Sequence, residues 1–266
     1  AVNGKLFMPV LSGTFGPVNR LMTSIDTGKS WVAERFLPTG TNYSNFGGQA
    51  VDILPSGKMV FGGTNGVTSE ILPGGSPTSN YVQGALGSFS KMDFAACNNI
   101  MAAGSGFIAT TRDGGNTWSE MVRQDIINLN AQINSCAYVP NNPAKAYFAT
   151  SVGLIFKSND INAVPPAPAP TLDPVLALST EQMTDVATVG NDSVWACGQS
   201  GFSVAAASRS PKVFRSVNGG TTWTTFNGFN VGTLSQSFRH IEFPSRLTGY
   251  VCGTRDTVWK TTDGGV

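Results

Sequence analysis

Charge is scarce in this chain. Charged residues make up 12% of its 266 positions, about half the usual share of roughly 25%. The net charge of +1 comes without any basic run. Holding nucleic acid by its phosphates needs clustered positive charge, so nucleic acid is not an expected partner. Histidine is scarcer still, with His240 the single copy. One histidine excludes a His-rich zinc site. A Ser-His-Asp triad would have to use His240, and no nucleophile motif accompanies it. There is no stretch of about 18 apolar residues, hence no expected transmembrane helix, and no signal-peptide pattern is visible. The cysteines are few (Cys97, Cys136, Cys197 and Cys252) and form no CxxC. They read first as free, buried apolar residues, with a Cys97–Cys136 disulfide as the alternative. No metal or cofactor is expected.

What the chain has is repetition. Ser24-Ile25-Asp26-Thr27-Gly28-Lys29-Ser30-Trp31 returns as Thr111-Arg112-Asp113-Gly114-Gly115-Asn116-Thr117-Trp118 and as Ser216-Val217-Asn218-Gly219-Gly220-Thr221-Thr222-Trp223. A shorter copy reads Thr261-Thr262-Asp263-Gly264-Gly265. Self-similarity at this period means a repeat architecture. The runs flanking each copy, such as Lys212–Arg215 and Thr222–Phe226, are rich in β-branched and aromatic residues, as strands are. The repeated box is therefore a hairpin turn. Glycine permits the positive φ of such turns, and an Asp or Asn side chain accepts bonds from turn N–H groups. Trp re-enters the sheet and is expected to be a buried packing residue.

These residues resemble the Asp-box, or BNR repeat, found in sialidases, sortilin-type receptors, some endoglucanases and Ycf48-like photosystem II assembly factors. The resemblance implies an all-β propeller with the box in the outer hairpin of each blade. It also implies that the box is structural, away from the usual binding face. On that reading Ser24, Asp26, Gly28, Trp31, Thr111, Asp113, Gly115, Trp118, Ser216, Asn218, Gly220, Trp223, Asp263 and Gly265 are structural, and the box acids are poor catalytic candidates.

A second unit precedes each box. Leu6–Val10, Met59–Gly63, Ile100–Gly104, Ala146–Thr150, Ser193–Gly198 and Gly249–Gly253 are short apolar runs ending in small residues, as expected for strands buried on both faces. Six copies predict about six four-stranded blades, with seven as the alternative, in a single domain over 1–266. Two boxes are degenerate. Ser158-Asn159-Asp160-Ile161-Asn162 loses its glycine and Trp, and Ser69–Ser76 keeps only its place and its glycines. A Pro-rich surface insertion over 163–171 follows the former, because proline cannot donate to a sheet ladder. The first and last repeats each read one strand short, so further sequence or strand donation from a neighbouring chain is expected.

For chemistry, a sialidase needs an Arg triad, a Tyr–Glu nucleophile pair and an Asp acid/base. The Arg-Ile-Pro signature is absent, and none of the nine arginines (Arg20, Arg35, Arg112, Arg123, Arg209, Arg215, Arg239, Arg246, Arg255) can be assigned to that triad. Asp52, Asp93, Asp185 and Glu242 fall on predicted inner strands, where a glycosidase could use two carboxylates. No catalytic residue is predicted. The texture of Ile241–Gly265 is closest to a Ycf48-like repeat. The expected function is a non-catalytic binding or structural module of a surface or virion assembly, with protein partners and, secondarily, glycans. The alternatives are a Ycf48-like assembly factor and a sialidase-like glycoside hydrolase. The expected setting is an extracellular surface or a virion. Contact segments are expected in the loops Thr39–Gly47, Gly74–Tyr81, Phe202–Ser210 and Asn227–Gly232, with Asn42, Tyr43, Tyr81, Phe202 and Phe229 as binding candidates.

Overall fold

A computed structural model describes residues 6–12, 18–36, 50–53, 59–62, 67–71, 78–81, 89–96, 98–122, 127–162, 171–178, 180–200, 210–226, 229, 237–254 and 257–265. They form two compact units, 1–122 and 123–266, whose elements are antiparallel strands in six sheets.

The first unit holds three sheets. The first contains β1 (Leu6–Ser12), β2 (Val18–Ser24) and β3 (Val32–Phe36). The second contains β4 (Ala50–Ile53), β5 (Met59–Gly62), β6 (Val67–Ile71) and β7 (Thr78–Tyr81). The third contains β8 (Phe89–Ala96), β9 (Asn99–Gly104), β10 (Phe107–Thr111) and β11 (Ser119–Val122). The second unit holds the other three. The fourth sheet is β12 (Ile133–Val139), β13 (Asn142–Thr150), β14 (Leu154–Ser158) and β15 (Asp173–Ala177). The fifth is β16 (Glu181–Val189), β17 (Ser193–Ser200), β18 (Pro211–Ser216) and β19 (Thr224–Phe226). The sixth is β20 (Phe238–Glu242), β21 (Gly249–Gly253) and β22 (Val258–Thr261).

Each sheet is a meander, strands pairing in chain order. The second and third boxes join the third and fourth strands of their sheets, and the first joins β2 to β3. Among the described residues the first and sixth sheets have three strands.

Within each unit, first strands of successive sheets lie side by side: β4 with β8, then β12 with β16 and β16 with β20. Apolar layers fill the spaces between sheets. Val60 meets Phe89, Met92, Ile100 and Phe107 in the first unit. In the second, Tyr147, Ile155, Met183, Val194 and Phe214 form one layer, and Trp195, Val213, Phe238, Ile241 and Phe243 the next. β17 is sandwiched between the last two layers, Val194 and Ala196 facing one and Trp195 and Cys197 the other, and β9 and the second half of β13 are likewise buried. Gly198 on β17 and Gly253 at the end of β21 stand where the neighbouring first strand approaches closely. A Cβ at Gly198 would stand 2.0 Å from Gln182 O, and one at Gly253 would stand 2.4 Å from Ser237 O.

The box turns share one bonding scheme. Thr111 Oγ1 donates to Asp113 Oδ1 (2.7 Å) and accepts from Gly115 N (2.9 Å). Asp113 then accepts Thr117 N (2.9 Å) and Thr117 Oγ1 (2.6 Å). Asp26 repeats the scheme with Ser30; Asn218 accepts Thr222 N on Oδ1 but donates from Nδ2 to Thr222 Oγ1. Three of the turns are also fastened to the first hairpin of their own sheet: Gly114 N to Asn98 O, Gly219 N to Asp192 O and Gly264 N to Leu247 O.

Two sequence expectations need correction. Trp31, Trp118 and Trp223 are half-buried rather than buried. Each indole N–H bonds the carbonyl of its own turn at 3.1 Å, to Gly28, Gly115 and Gly220, so the ring lies over the outer hairpin with part of it exposed. The box at Ser158 is also less degenerate than its letters. Ile161 N reaches Ala144 O as a box glycine would, and Asp160 Oδ1 accepts Thr171 N at 2.9 Å. The Pro-rich segment is thus inserted inside the box, with Thr171 in the Ser/Thr position and buried Leu172 in the Trp position. The other degenerate box, Ser69–Ser76, lies largely outside the described residues.

Candidate functional site

Two features of the second unit bear on function. The first is a polar cluster on the side-by-side strands β12, β16 and β20. Asp185 is 2% exposed. Its Oδ1 accepts a bond from Ser135 Oγ, and its Oδ2 accepts Ile241 N at 3.0 Å and lies 2.5 Å from His240 Nδ1. A register shift falls at each of the three residues: Ile133/Ser135, Met183/Asp185 and Phe238/His240. Bulges re-aim side chains, and here they turn one residue per strand toward its neighbours. Further side-chain bonds link the same strands, Asn134 Nδ2 to Met183 O (2.6 Å) and Thr184 Oγ1 to Phe238 O (2.8 Å).

This cluster has the residue types of a triad without its order. In a nucleophilic triad the hydroxyl bonds the imidazole and the carboxylate orients that imidazole. Here Ser135 and His240 both bond the carboxylate, and Ser135 is 1% exposed. The arrangement ties three strands together. Glu242, two residues from His240, is exposed. Asp93 is half-buried on β8, and Asp52 lies on β4, both in the first unit. Asp185 and His240 stand out in the sequence, but Ser135 and the meeting of the three do not, although each member stands two residues beyond an aligned apolar residue: Ile133, Met183 and Phe238.

The second feature is a groove between the fifth and sixth sheets, a cavity of about 510 Å³, within the usual ligand-pocket range of roughly 300–1,000 Å³. Phe226, Phe229, Phe243, Tyr250 and Trp259 supply aromatic walls, and the turn Asp263–Gly265 closes one end. Phe229, expected on a contact loop, packs edge-on against Phe238 (4.7 Å) and Trp259 (5.7 Å) and so forms part of the wall. Trp259 Nε1 is buried and has no hydrogen-bond partner among the described residues. Beside the groove runs β22, paired with β21 on one edge; among the described residues no strand pairs with its other edge.

Of the remaining binding candidates, Tyr81 lies on β7, while Asn42, Tyr43 and Phe202 lie outside the described residues. Arg112, Arg239 and Arg246 are exposed, and Arg215 is half-buried near Gly264. Arg20 and Arg35 lie on β2 and β3, and Arg123, Arg209 and Arg255 lie outside the described residues. Cys197 and Cys252 are free thiols and Cys136 is buried; the Cys97–Cys136 alternative turns on Cys97, which lies outside the described residues. Among the described residues no group of His, Cys, Asp and Glu could hold a metal ion, and no helix is long and apolar enough to cross a membrane.

No family model matches the sequence, and no curated protein matches it. Solved structures do match in shape. Ycf48 bound to D1 peptide aligns at 17% identity over 96% of this chain and 74% of that one, with a TM-score of 0.61. Virginiamycin B lyase from Staphylococcus aureus, a catalytically inactive variant with quinupristin, aligns at 11% identity over 96% and 80%, with a TM-score of 0.66. An ancestral GH74 enzyme aligns at 15% identity over 96% of this chain and 34% of its own, with a TM-score of 0.64. At these identities the likeness concerns the fold, and its functions are diverse. With its meander sheets and their box turns, the chain is an Asp-box-like β-propeller.

Proposed function

We propose that this chain is a non-catalytic binding module that takes polypeptide partners, as a component of a surface or virion assembly. The observation that carries the reading is the aromatic-walled groove between the fifth and sixth sheets. Aromatic walls supply large contact area at small entropic cost. The axial cluster supports the non-catalytic part. Asp185 spends its carboxylate on Ser135, Ile241 N and His240, all bonds that hold strands in place. Protein partners also accord with the solved Ycf48 structure, which is bound to D1 peptide. Glycans are the second partner class of this reading.

The test is a set of binding and turnover assays on the full chain. A peptide array and a glycan array are expected to yield saturable binding, polypeptide ahead of glycan. Sialosides and β-glucans are expected to stay intact. Hydrolysis of either that disappears in Asp185→Asn or Glu242→Gln, with the fold retained, would overturn the reading in favour of a glycoside hydrolase.

A further inference from the structure

The third box holds the one Asn-Gly pair among the described residues, Asn218–Gly219. Such a pair is chemically labile. The Gly219 nitrogen can attack Asn218 Cγ: the N–Cγ bond forms, the Cγ–Nδ2 bond breaks, and Nδ2 leaves as ammonia with the proton that the nitrogen gives up. Water then opens the cyclic imide at either carbonyl, to aspartate or isoaspartate. Asn218 is exposed, so water reaches it, and glycine has no side chain to shield the attacking nitrogen. The turn, however, holds both the nucleophile and the leaving amide. Gly219 N donates to Asp192 O at 2.8 Å. Asn218 Oδ1 accepts Ser216 Oγ (3.0 Å) and Thr222 N (2.9 Å), and Nδ2 donates to Thr222 Oγ1 (2.8 Å). The hairpin that supplies Asp192 O is itself pinned, since Lys145 Nζ donates to Asn191 O at 2.7 Å.

We propose that Asn218 is a deamidation site controlled by the opening of this turn: closed, the amide is kept; open, it is converted to the acid. Local openings of this kind belong to the native ensemble. The aspartate product falls back into the box scheme, because Asp26 and Asp113 hold the same place with the N–H and hydroxyl of Ser30 and Thr117. It adds a negative charge beside two cations. Lys157 Nζ lies 3.3 Å from Gly219 O, and Lys145 Nζ lies 3.6 Å from a would-be Cβ on Gly219. Asp192 Oδ1 stands 3.6 Å from the same point, so the new carboxylate shares these cations with it. The isoaspartate product carries an extra methylene in the backbone, and the bonds from 218 to 222 no longer fit. The modification thus turns the neutral third box into an acidic one of the second box's kind, a change independent of the binding reading.

The test is peptide mapping of the full chain after prolonged incubation in mildly alkaline buffer, native and in guanidinium chloride. The tryptic peptide 216–239 is fragmented so that Asn218 and Asn227, in its other Asn-Gly pair, are scored separately. Deamidation at 218 is expected to be at least about tenfold slower in the native chain than in the unfolded one, because reaction in a held turn requires an opening. Thr222→Val removes the acceptor of Nδ2 at constant size and should speed the native reaction severalfold. Trp118→Ala, in the other unit, should leave it unchanged. Asn218→Asp should melt no lower than wild type at neutral pH. Equal rates in the native and unfolded wild-type chains overturn the proposal, whether or not the variants fold. A Trp118→Ala rate that matches Thr222→Val would assign the protection to global stability and overturn the role of the turn. A lower melting temperature for Asn218→Asp would overturn the accommodation of the acid.

Discussion

At the scale of single residues, the boxes show how one side chain governs a turn. Asp113 has its pKa lowered to about 2: burial pushes it up, but the hydroxyl and N–H of Thr117 and the hydroxyl of Thr111 outweigh that. Asp26 is lowered to about 2, mainly by Ser30 through its hydroxyl and N–H, and then by Ser24. A depressed carboxylate stabilises the fold above its unfolded value and loses that contribution as pH falls through its folded value. The stability contributed by these turns is therefore expected to fade from about pH 4 to about pH 2. Asn218 holds the same partners without ionising, its Oδ1 accepting Ser216 Oγ and Thr222 N and its Nδ2 donating to Thr222 Oγ1. Asp113→Asn should thus preserve the turn, and the melting-temperature gap to wild type should shrink as pH falls; a gap constant from pH 5 to 2 would contradict this. Thr27 offers a second test. It occupies a box glycine's place at φ +61, a region costly for a β-branched residue. Thr27→Gly is expected to stabilise by about 0.5–1 kcal/mol despite the entropy of glycine, measured by denaturant unfolding.

At the scale of elements, position in the sheet sets how much a tryptophan contributes. Trp195 on β17 is 1% exposed, stacks on Phe243 at 4.0 Å and donates to Gly264 O at 3.3 Å. Trp195→Ala is expected to cost roughly 3–5 kcal/mol, as fully buried aromatics do. Trp118, half-buried over its own turn, should cost about 2 kcal/mol, since less apolar area leaves water. Equal losses in chemical denaturation would refute the distinction. The first-strand cluster behaves differently again. Removing His240 exposes little core, but removing Asp185 leaves Ser135 Oγ and Ile241 N without their acceptor. An unsatisfied buried group costs roughly 1–3 kcal/mol, so Asp185→Ala should destabilise well beyond His240→Ala.

At the scale of the whole molecule, burial orders the reactivity of the thiols. Cys136 and Cys197 are buried and Cys252 is partly exposed. Burial, and then the nearby Asp185, push the Cys197 thiol up, which leaves little reactive thiolate. Mass spectrometry of a native alkylation time course should find Cys252 modified first, and Cys197 only with unfolding. Comparable labelling of Cys197 and Cys252 in the native protein would contradict the packing between the fifth and sixth sheets.

The sequence by itself determined the repeat, and with it the turns, the meander sheets and the β-propeller fold. The turns rest on interactions within about eight residues, so local patterns report them: Asp26, Asp113 and Asn218 each bond a residue four positions on. Only tertiary structure decided the rest. Ser135, Asp185 and His240 meet because strands about fifty residues apart lie side by side. The Asp160 turn closes across an insertion that hides its pattern, with Thr171 eleven residues away. The groove is a space between two sheets, formed by Phe226, Phe229, Tyr250 and Trp259. Periodicity can mark each of these side chains as apolar, but which of them face one another across a gap is set by the packing of one sheet on the next.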